Sequence, residues 1–323
     1  MDLTALETPA RGEASLLAQA LEDLLGCPNC HEALALRSDS AALSCAVCRR
    51  EFPVVEGIPI FLSGDPPDQG EERRFRDTSA VARQASGPAD LLRAVGSYHC
   101  RPIMGPCARR FRASFGPEDW ILDLGTGYGW PWAFAPDGGR VIGVDISLGN
   151  LRLARRLLAG RGTRALLVCA SGAALPLRRA AVAGVWSAQV LQHMPARILR
   201  AACSELDRVM REDFRMELHN LNPAPLHRFL CGLLGRRFHT RGSVGPWETN
   251  RLTGAEWLDE LRTVRSGRFR ASVGYSELFF HPELHLRIWP YPVRLEHWLA
   301  ERFPAFSGAI ARQVCLRITG GMG

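Results

Sequence analysis

The stretch WILDLGTGYGW, Trp120 to Trp130, joins an apolar run to a loop with glycine at every second position. WILDLG reads as a buried strand, and glycines at 125, 127 and 129 let the backbone turn tightly and approach a ligand where a Cβ would collide. A dinucleotide fingerprint G-x-G-x-x-G would put its last glycine at position 130. Trp130 stands there instead, and the spacing is G-x-G-x-G behind the acid Asp123, which speaks against NAD. Pro131 and Pro136 punctuate the segment where a helix should follow. Pro131 falls in the first helical turn, where a missing N–H costs nothing, so a short helix is expected.

Outward from this stretch the pattern repeats. RVIGVDIS, RALLVCA and AGVWSAQ read as a second, third and fourth strand. Leu151, Leu153, Leu157 and Leu158 recur at helical spacing between the second and third. After the fourth, Ile198, Leu199, Ala202, Leu206 and Val209 form another helical stripe. RFRASVGYSELFF and ARQVCLRITGG read as the last two strands. Apolar strands alternating with helices imply an α/β fold, a doubly wound and mostly parallel sheet covered on both faces. Ligands of such sheets bind beyond the carboxyl ends of the strands. Asp145 ends the second strand, and an ionised carboxylate there can accept from both hydroxyls of an adenosine ribose. A helix N-cap is the alternative reading of Asp145.

The N-terminal region carries a second signal. CPNC (Cys27, Cys30) and CAVC (Cys45, Cys48) give C-x2-C-x14-C-x2-C. Two such turns brought together make a tetrahedral S4 site suited to zinc, closed by four protein ligands and therefore structural. A disulfide pair is disfavoured in the absence of a secretory signal. His31, beside Cys30, reads as a surface residue because four thiolates complete the shell. With Phe52-Pro53 and Gly57-Ile58-Pro59 following the second pair, residues 22–63 resemble the Trm112-like zinc ribbons. Cys100, Cys107, Cys169, Cys203, Cys231 and Cys315 show no ligand spacing and read as small buried residues.

Asp123, the three glycines, Asp145, then ALPL (174–177), VWSAQVLQHM (185–194) and ELDRVMRE resemble, as an ordered set, the class I S-adenosylmethionine-dependent methyltransferases with a type 11-like domain. The resemblance implies a cofactor site at Asp123, Gly125, Thr126, Gly127 and Gly129 for the methionine portion, Asp145 for the ribose and Ile146 on adenine. Ser171 and Gly172 would lie at the adenine edge, and Ala188 would offer its carbonyl to the cofactor's amino group. Two departures stand out: Ser171 replaces an acid common before the Leu-Pro pair, and Ala183 an acid common at the start of the fourth strand. His193 is the nearest candidate base, with a purely structural histidine as the alternative.

Residues 1–21 read as an N-terminal helix, 22–63 as the ribbon, 64–118 as a linker with capping helices, and 119–323 as the methyltransferase domain. Within that domain, 221–255 is expected as a lid insertion, with Phe229, Leu230, Leu233, Phe238 and Trp247 lining a pocket or filling core. The net charge is +7, and every basic residue is arginine, the coding habit of a GC-rich bacterial genome. The arginines are scattered, so charge is a weak cue to nucleic acid. No run of about 18 apolar residues occurs, and a cytoplasmic protein without a membrane span is expected. The resulting expectation is methyl transfer from S-adenosylmethionine to a small-molecule, biosynthetic acceptor, with a structural zinc ion. An rRNA or tRNA methyltransferase and a non-methylating binding module remain open, as does the oligomeric state.

Overall fold

The computed structural model describes residues 11–37, 41–62, 69–84, 90, 103–135, 139–235, 250–281, 286–287 and 292–321. Its first element, the helix Arg11–Asp23, buries Leu16, Leu17 and Ala20. An antiparallel four-stranded sheet follows: β1 (Leu34–Leu36), β2 (Ala42–Cys45), β3 (Glu51–Val55) and β4 (Ile58–Pro59), in that order. Glu56 and Gly57 join β3 to β4, both at positive φ (52° and 75°), as a two-residue hairpin turn matched to strand twist requires.

The central sheet comprises β5 (Trp120–Leu124), β6 (Arg140–Asp145), β7 (Arg164–Cys169), β8 (Val182–Ala188), β9 (Met210–Leu221), β10 (Arg270–Ser276) and β13 (Gln313–Thr319). Two short strands, β11 (Phe280–His281) and β12 (Leu286–Arg287), pair separately. The seven strands run in the order β10-β13-β9-β8-β5-β6-β7. Neighbours from β9 to β7 are parallel, and β13 is antiparallel to β9 and to β10. From β5 the chain builds outward one way through β6 and β7, then returns to build the other way from β8. The switch point between β5 and β8 is where such sheets open a ligand crevice.

The helices form where the apolar stripes placed them. Leu148–Leu158 buries Leu151, Leu153, Ala154, Leu157 and Leu158, and Ser147 caps its N-terminus by accepting from Asn150 N–H (3.1 Å). Ala196–Val209 buries Ile198, Leu199, Ala202, Leu206 and Val209. Each fully buried leucine contributes about 1.5–3 kcal/mol relative to exposure. The helix after β5 is Trp130–Ala133, four residues long with Pro131 in its first turn, the short helix the sequence predicts. Pro136 lies outside the described residues.

The ribbon is tied to the central sheet at its edge. Ile60 bridges Cys169 in parallel, and Phe61 N–H donates to Cys169 C=O at 2.8 Å, so the strand end after β4 covers part of β7. Edge strands present unpaired backbone groups, and covering one removes a template for aggregation. Arg178 adds a clamp, donating to the C=O groups of Leu21 (2.8 Å), Glu22 (2.7 Å) and Leu25 (3.0 Å) at the end of the first helix.

Two further helices, Gly70–Gln84 and Gly105–Arg112, flank the sheet. Asp77 fastens the first over the site: its carboxylate accepts from Ser147 Oγ (2.6 Å) and Gly149 N–H (3.0 Å). In the 221–255 segment the helix Pro225–Leu233 forms, and Phe229 and Leu233 are 62% and 68% exposed. Together with Leu230, also exposed, they do not fill core. Phe238 and Trp247 lie outside the described residues.

Candidate functional site

The carboxyl ends of β5 and β6 carry the glycine loop. Gly125, Gly127 and Gly129 all hold positive φ (72°, 54° and 71°). Packing also forbids a side chain at two of them. A Cβ at Gly125 would lie 2.2 Å from Val190 Cγ2, and one at Gly129 2.9 Å from Leu158 Cδ1. At Gly127 a Cβ would meet nothing within 4 Å. That glycine faces open space, the condition for a ligand to approach the backbone.

Two carboxylates shape the loop. Asp123 is buried, and its Oδ2 accepts from Thr126 Oγ1 (2.5 Å) and Trp132 Nε1 (2.7 Å). Burial pushes its carboxyl up to about 7, against the lowering pull of those hydrogen bonds. Its described partners belong to the loop and the short helix, so Asp123 fixes the loop's shape. Asp145 accepts from Gly127 N–H through Oδ2 (2.8 Å) and from Ser147 N–H through Oδ1 (2.8 Å). Burial raises its carboxyl as well, offset by these backbone donors.

The rest of the predicted site residues fall around this pair. Ile146 follows Asp145 and is half-buried. Ser171 is buried, donates to Gln69 Oε1 (2.9 Å) and accepts from Ala173 N–H (3.2 Å). A Cβ at Gly172 would lie 2.9 Å from Leu124 Cδ1. Ala188 ends β8, level with His219 of β9. Ala183 is different. It lies at the amino end of β8, five residues before Ala188 and so about 16 Å from the ligand edge. An acid at this position would stand away from the ligand edge.

His193 lies in the 3-10 turn Leu191–His193, buried, its Nε2 3.3 Å from Gln192 Nε2. Burial, with the Arg76 charge adding to it, pushes its imidazole down to about 3. A ring of such low proton affinity stays neutral near pH 7 and takes up a proton poorly, which fits the structural reading better than the general base. The turn is held by its neighbours: Gln192 Oε1 accepts from Leu221 N–H (2.6 Å), and Asn250 donates from its backbone to Gln192 C=O (2.6 Å) and from Nδ2 to Met194 C=O (2.7 Å).

Sequence reasoning missed two charged groups here. Arg76 and Glu72 pair at 3.2 Å on the helix Gly70–Gln84, and both act electrostatically on Asp145 or are acted on by it. Burial raises the Glu72 carboxyl, against the pull of Arg76. The run EERRFRD (71–77) carries the signal, but in sequence it is indistinguishable from a solvated helix face.

The four N-terminal cysteines converge as their spacing requires. Their sulfurs all lie within 4.8 Å of one another, with Cys27 to Cys48 at 3.5 Å and Cys30 to Cys45 at 3.4 Å. A tetrahedral zinc site with Zn–S of about 2.3 Å has S···S edges of about 3.8 Å, close to what is seen. The two knuckles close alike. His31 N–H donates to Cys27 C=O and Arg49 N–H to Cys45 C=O, and both residues take positive φ (63° and 58°). This cluster fits a zinc ribbon.

A second cluster was not anticipated. Glu217 and His219 on β9 and Cys315 on β13 are buried, with ligand atoms within 4.8 Å of one another. Cys315 is buried, as the sequence suggests, and stands opposite His219 across the two strands. The Trp186 ring packs on His219, centroids 4.8 Å apart.

Residues 121–213 match the model of a methyltransferase domain. No curated protein matches the sequence. Among solved structures, phosphoethanolamine N-methyltransferase 1 of Haemonchus contortus superposes with a TM-score of 0.50 at 12% identity, covering 82% of this chain and 52% of that chain. A chain of the complex containing the Haloferax volcanii Trm112 methyltransferase activator gives a TM-score of 0.49 at 16% identity, covering 78% of this chain and 97% of that chain. The 1,6-didemethyltoxoflavin-N1-methyltransferase of Burkholderia thailandensis gives 0.47 at 16% identity, covering 86% and 98% respectively. At 12% identity the first likeness is one of fold. The doubly wound sheet is the class I methyltransferase fold.

Proposed function

We propose, from the premise that residues 121–213 are a methyltransferase domain, that the protein transfers a methyl group from S-adenosylmethionine to a small-molecule acceptor. The observation that carries the reading is the open side of Gly127 next to the Asp145 carboxylate, at the carboxyl ends of β5 and β6. S-adenosylmethionine supplies the methyl on an electrophilic sulfonium. Asp145 would exchange one backbone partner for the ribose hydroxyls. The backbone of Gly125, Thr126, Gly127 and Gly129, shaped by Asp123, would hold the methionine portion. Ile146 would pack on adenine, with Ser171 and Gly172 at its edge, and Ala188 C=O would accept from the cofactor's amino group.

Methyl transfer from a sulfonium requires mainly alignment and a nucleophile without its proton. The helix Gly70–Gln84 would exclude water from the reacting atoms, and Asp77 locks it in place. With His193 neutral, Glu72 would be the candidate proton acceptor, since its carboxyl is raised by burial and interacts electrostatically with Asp145. From the 221–255 segment, the helix Pro225–Leu233 would contribute to the acceptor wall, and Asn250 ties the chain to the turn around His193. Two features favour a small molecule over RNA. The arginines form no dense block, and SAQVLQH (187–193) occupies the place where base-N-methylating enzymes carry Asn/Asp-Pro-Pro-aromatic. The ribbon would hold a structural zinc ion through Cys27, Cys30, Cys45 and Cys48.

Calorimetric titration tests the reading. Saturable binding of S-adenosylmethionine at one site per chain, and no salt-dependent rRNA binding, are the expected results. No detectable cofactor binding would sink it, and tight rRNA binding that falls steeply with salt would replace the small-molecule acceptor with RNA.

A further inference from the structure

We propose that Glu217, His219 and Cys315 form a second metal site, for a divalent transition ion of the zinc class. Three different donors meet there: a carboxylate oxygen, an imidazole nitrogen and a thiol sulfur. Glu217 Oε1 lies 3.0 Å from His219 Nε2 and 3.8 Å from Cys315 Sγ, and Cys315 Sγ lies 3.8 Å from His219 Nε2. A tetrahedral ion with bonds of about 2.0 Å to N and O and about 2.3 Å to S needs edges of about 3.3 Å (N···O) and about 3.5 Å (S to N or O). The observed triangle is within about 0.3 Å of that face on every edge.

The site is built into the sheet. Glu217 and His219 sit two residues apart on β9 and so share a face, while register places Cys315 opposite His219 and Arg317 opposite Glu217. Trp186, level with Glu217 on β8, walls the site by packing at a tilt against His219. Arg317 Nε lies 3.7 Å from Glu217 Oε2, leaving Oε1 as the oxygen turned to the other two donors. His219 Nδ1 is buried with no hydrogen-bond partner among the described residues. A nitrogen, oxygen and sulfur set suits zinc and its neighbours and not magnesium or calcium, which prefer oxygen alone. Three protein ligands leave one tetrahedral position open, unlike the closed ribbon.

Register also gives the location. Asp123 is level with Trp186, and Trp186 with Glu217, so the cluster lies two strands from the glycine loop, about 10 Å away. The inference does not depend on the proposed methyl transfer, because it is read out as metal content.

The test is the metal-to-chain ratio of the full-length protein, by plasma mass spectrometry after removal of loosely held ions, for the wild type, Cys315→Ala and His219→Ala. The expected result is a loss of one ion per chain in each variant relative to wild type, with wild type at two when the ribbon is filled. Cobalt exchange of the wild type should add a tetrahedral spectrum with single-thiolate character that Cys315→Ala abolishes. A ratio unchanged by both substitutions overturns the proposal, as does a wild type with one ion released only when the ribbon cysteines are blocked. Should a variant fail to fold, the wild-type cobalt spectrum decides: four-thiolate character alone overturns the site, and an added single-thiolate component supports it.

Discussion

The two halves of the central sheet hold their polar groups in opposite ways. On the β5–β6–β7 side, polar recognition comes from backbone: a loop of three positive-φ glycines, with Asp145 gathering two N–H groups. On the β8–β9–β13 side it comes from side chains, and Glu217 meets Cys315 across 98 residues of sequence. Backbone sites need local spacing and are written in short motifs. Side-chain sites need strand register and exist only once the sheet has closed.

The largest effect is expected at Asp145. Asp145→Ala removes a carboxylate whose hydrogen bonds to ribose would each contribute about 1.5–3 kcal/mol, so affinity for S-adenosylmethionine should fall about 100-fold or more by calorimetry. Wild-type affinity in this variant would break the claim that the β6 end is the cofactor side.

Next come two groups with opposite pH signs. His193 has a folded pKa of about 3 against 6.5 when unfolded, so the unfolded chain binds the extra proton, and this contribution is lost as pH falls from about 6.5 toward 3. Asp123 has a folded pKa of about 7 against 3.8, so its contribution is fully present below about 3.8 and lost as pH rises through 7. Denaturant unfolding of His193→Gln should therefore show a stability deficit relative to wild type that shrinks by about 2–3 kcal/mol between pH 7 and 4.5. Asp123→Asn should show the reverse trend, gaining on wild type as pH rises from 4.5 to 8. Parallel pH profiles for variant and wild type would mean these groups are not buried as described.

Smaller effects sharpen the contrast within the loop. Gly127→Ala costs about 1 kcal/mol of stability through its positive φ, having no clash, yet should weaken cofactor binding about 10-fold. Gly129→Ala should do the converse, lowering the melting temperature more, because its Cβ meets Leu158. If the two behave alike, Gly127 does not face the ligand. Smallest of all, Ser171→Ala removes a neutral hydrogen bond and should weaken binding about 5-fold, or about 1 kcal/mol. A loss near that of Asp145→Ala would show the serine doing the work of the absent acid.

Strands β5 to β8 were legible because buried parallel strands are runs of apolar residues. Strand β9 was not, although it is central, because Glu217, His219 and Asn220 occupy buried positions of MREDFRMELHNL. Burial of such groups is tolerable only with partners from β8 and β13, and no local pattern announces those. Glu72 and Arg76 escaped for a related reason: a charged helix face reads as solvated until another element covers it. The ribbon escaped nothing, since each knuckle is a five-residue turn that carries its own geometry.

By itself the sequence determined the alternation of strands and helices, the glycine loop with its two acids, and the four thiols of the ribbon. Each is a property of neighbouring residues, set by φ/ψ limits and apolar periodicity. Tertiary structure alone decided that the ribbon covers β7, that Ala183 lies away from the ligand edge, that Asp123 turns inward to Thr126 and Trp132, and that Cys315 joins Glu217 and His219. Those depend on register and on which face each strand turns to its neighbour, quantities fixed only when distant segments pack together.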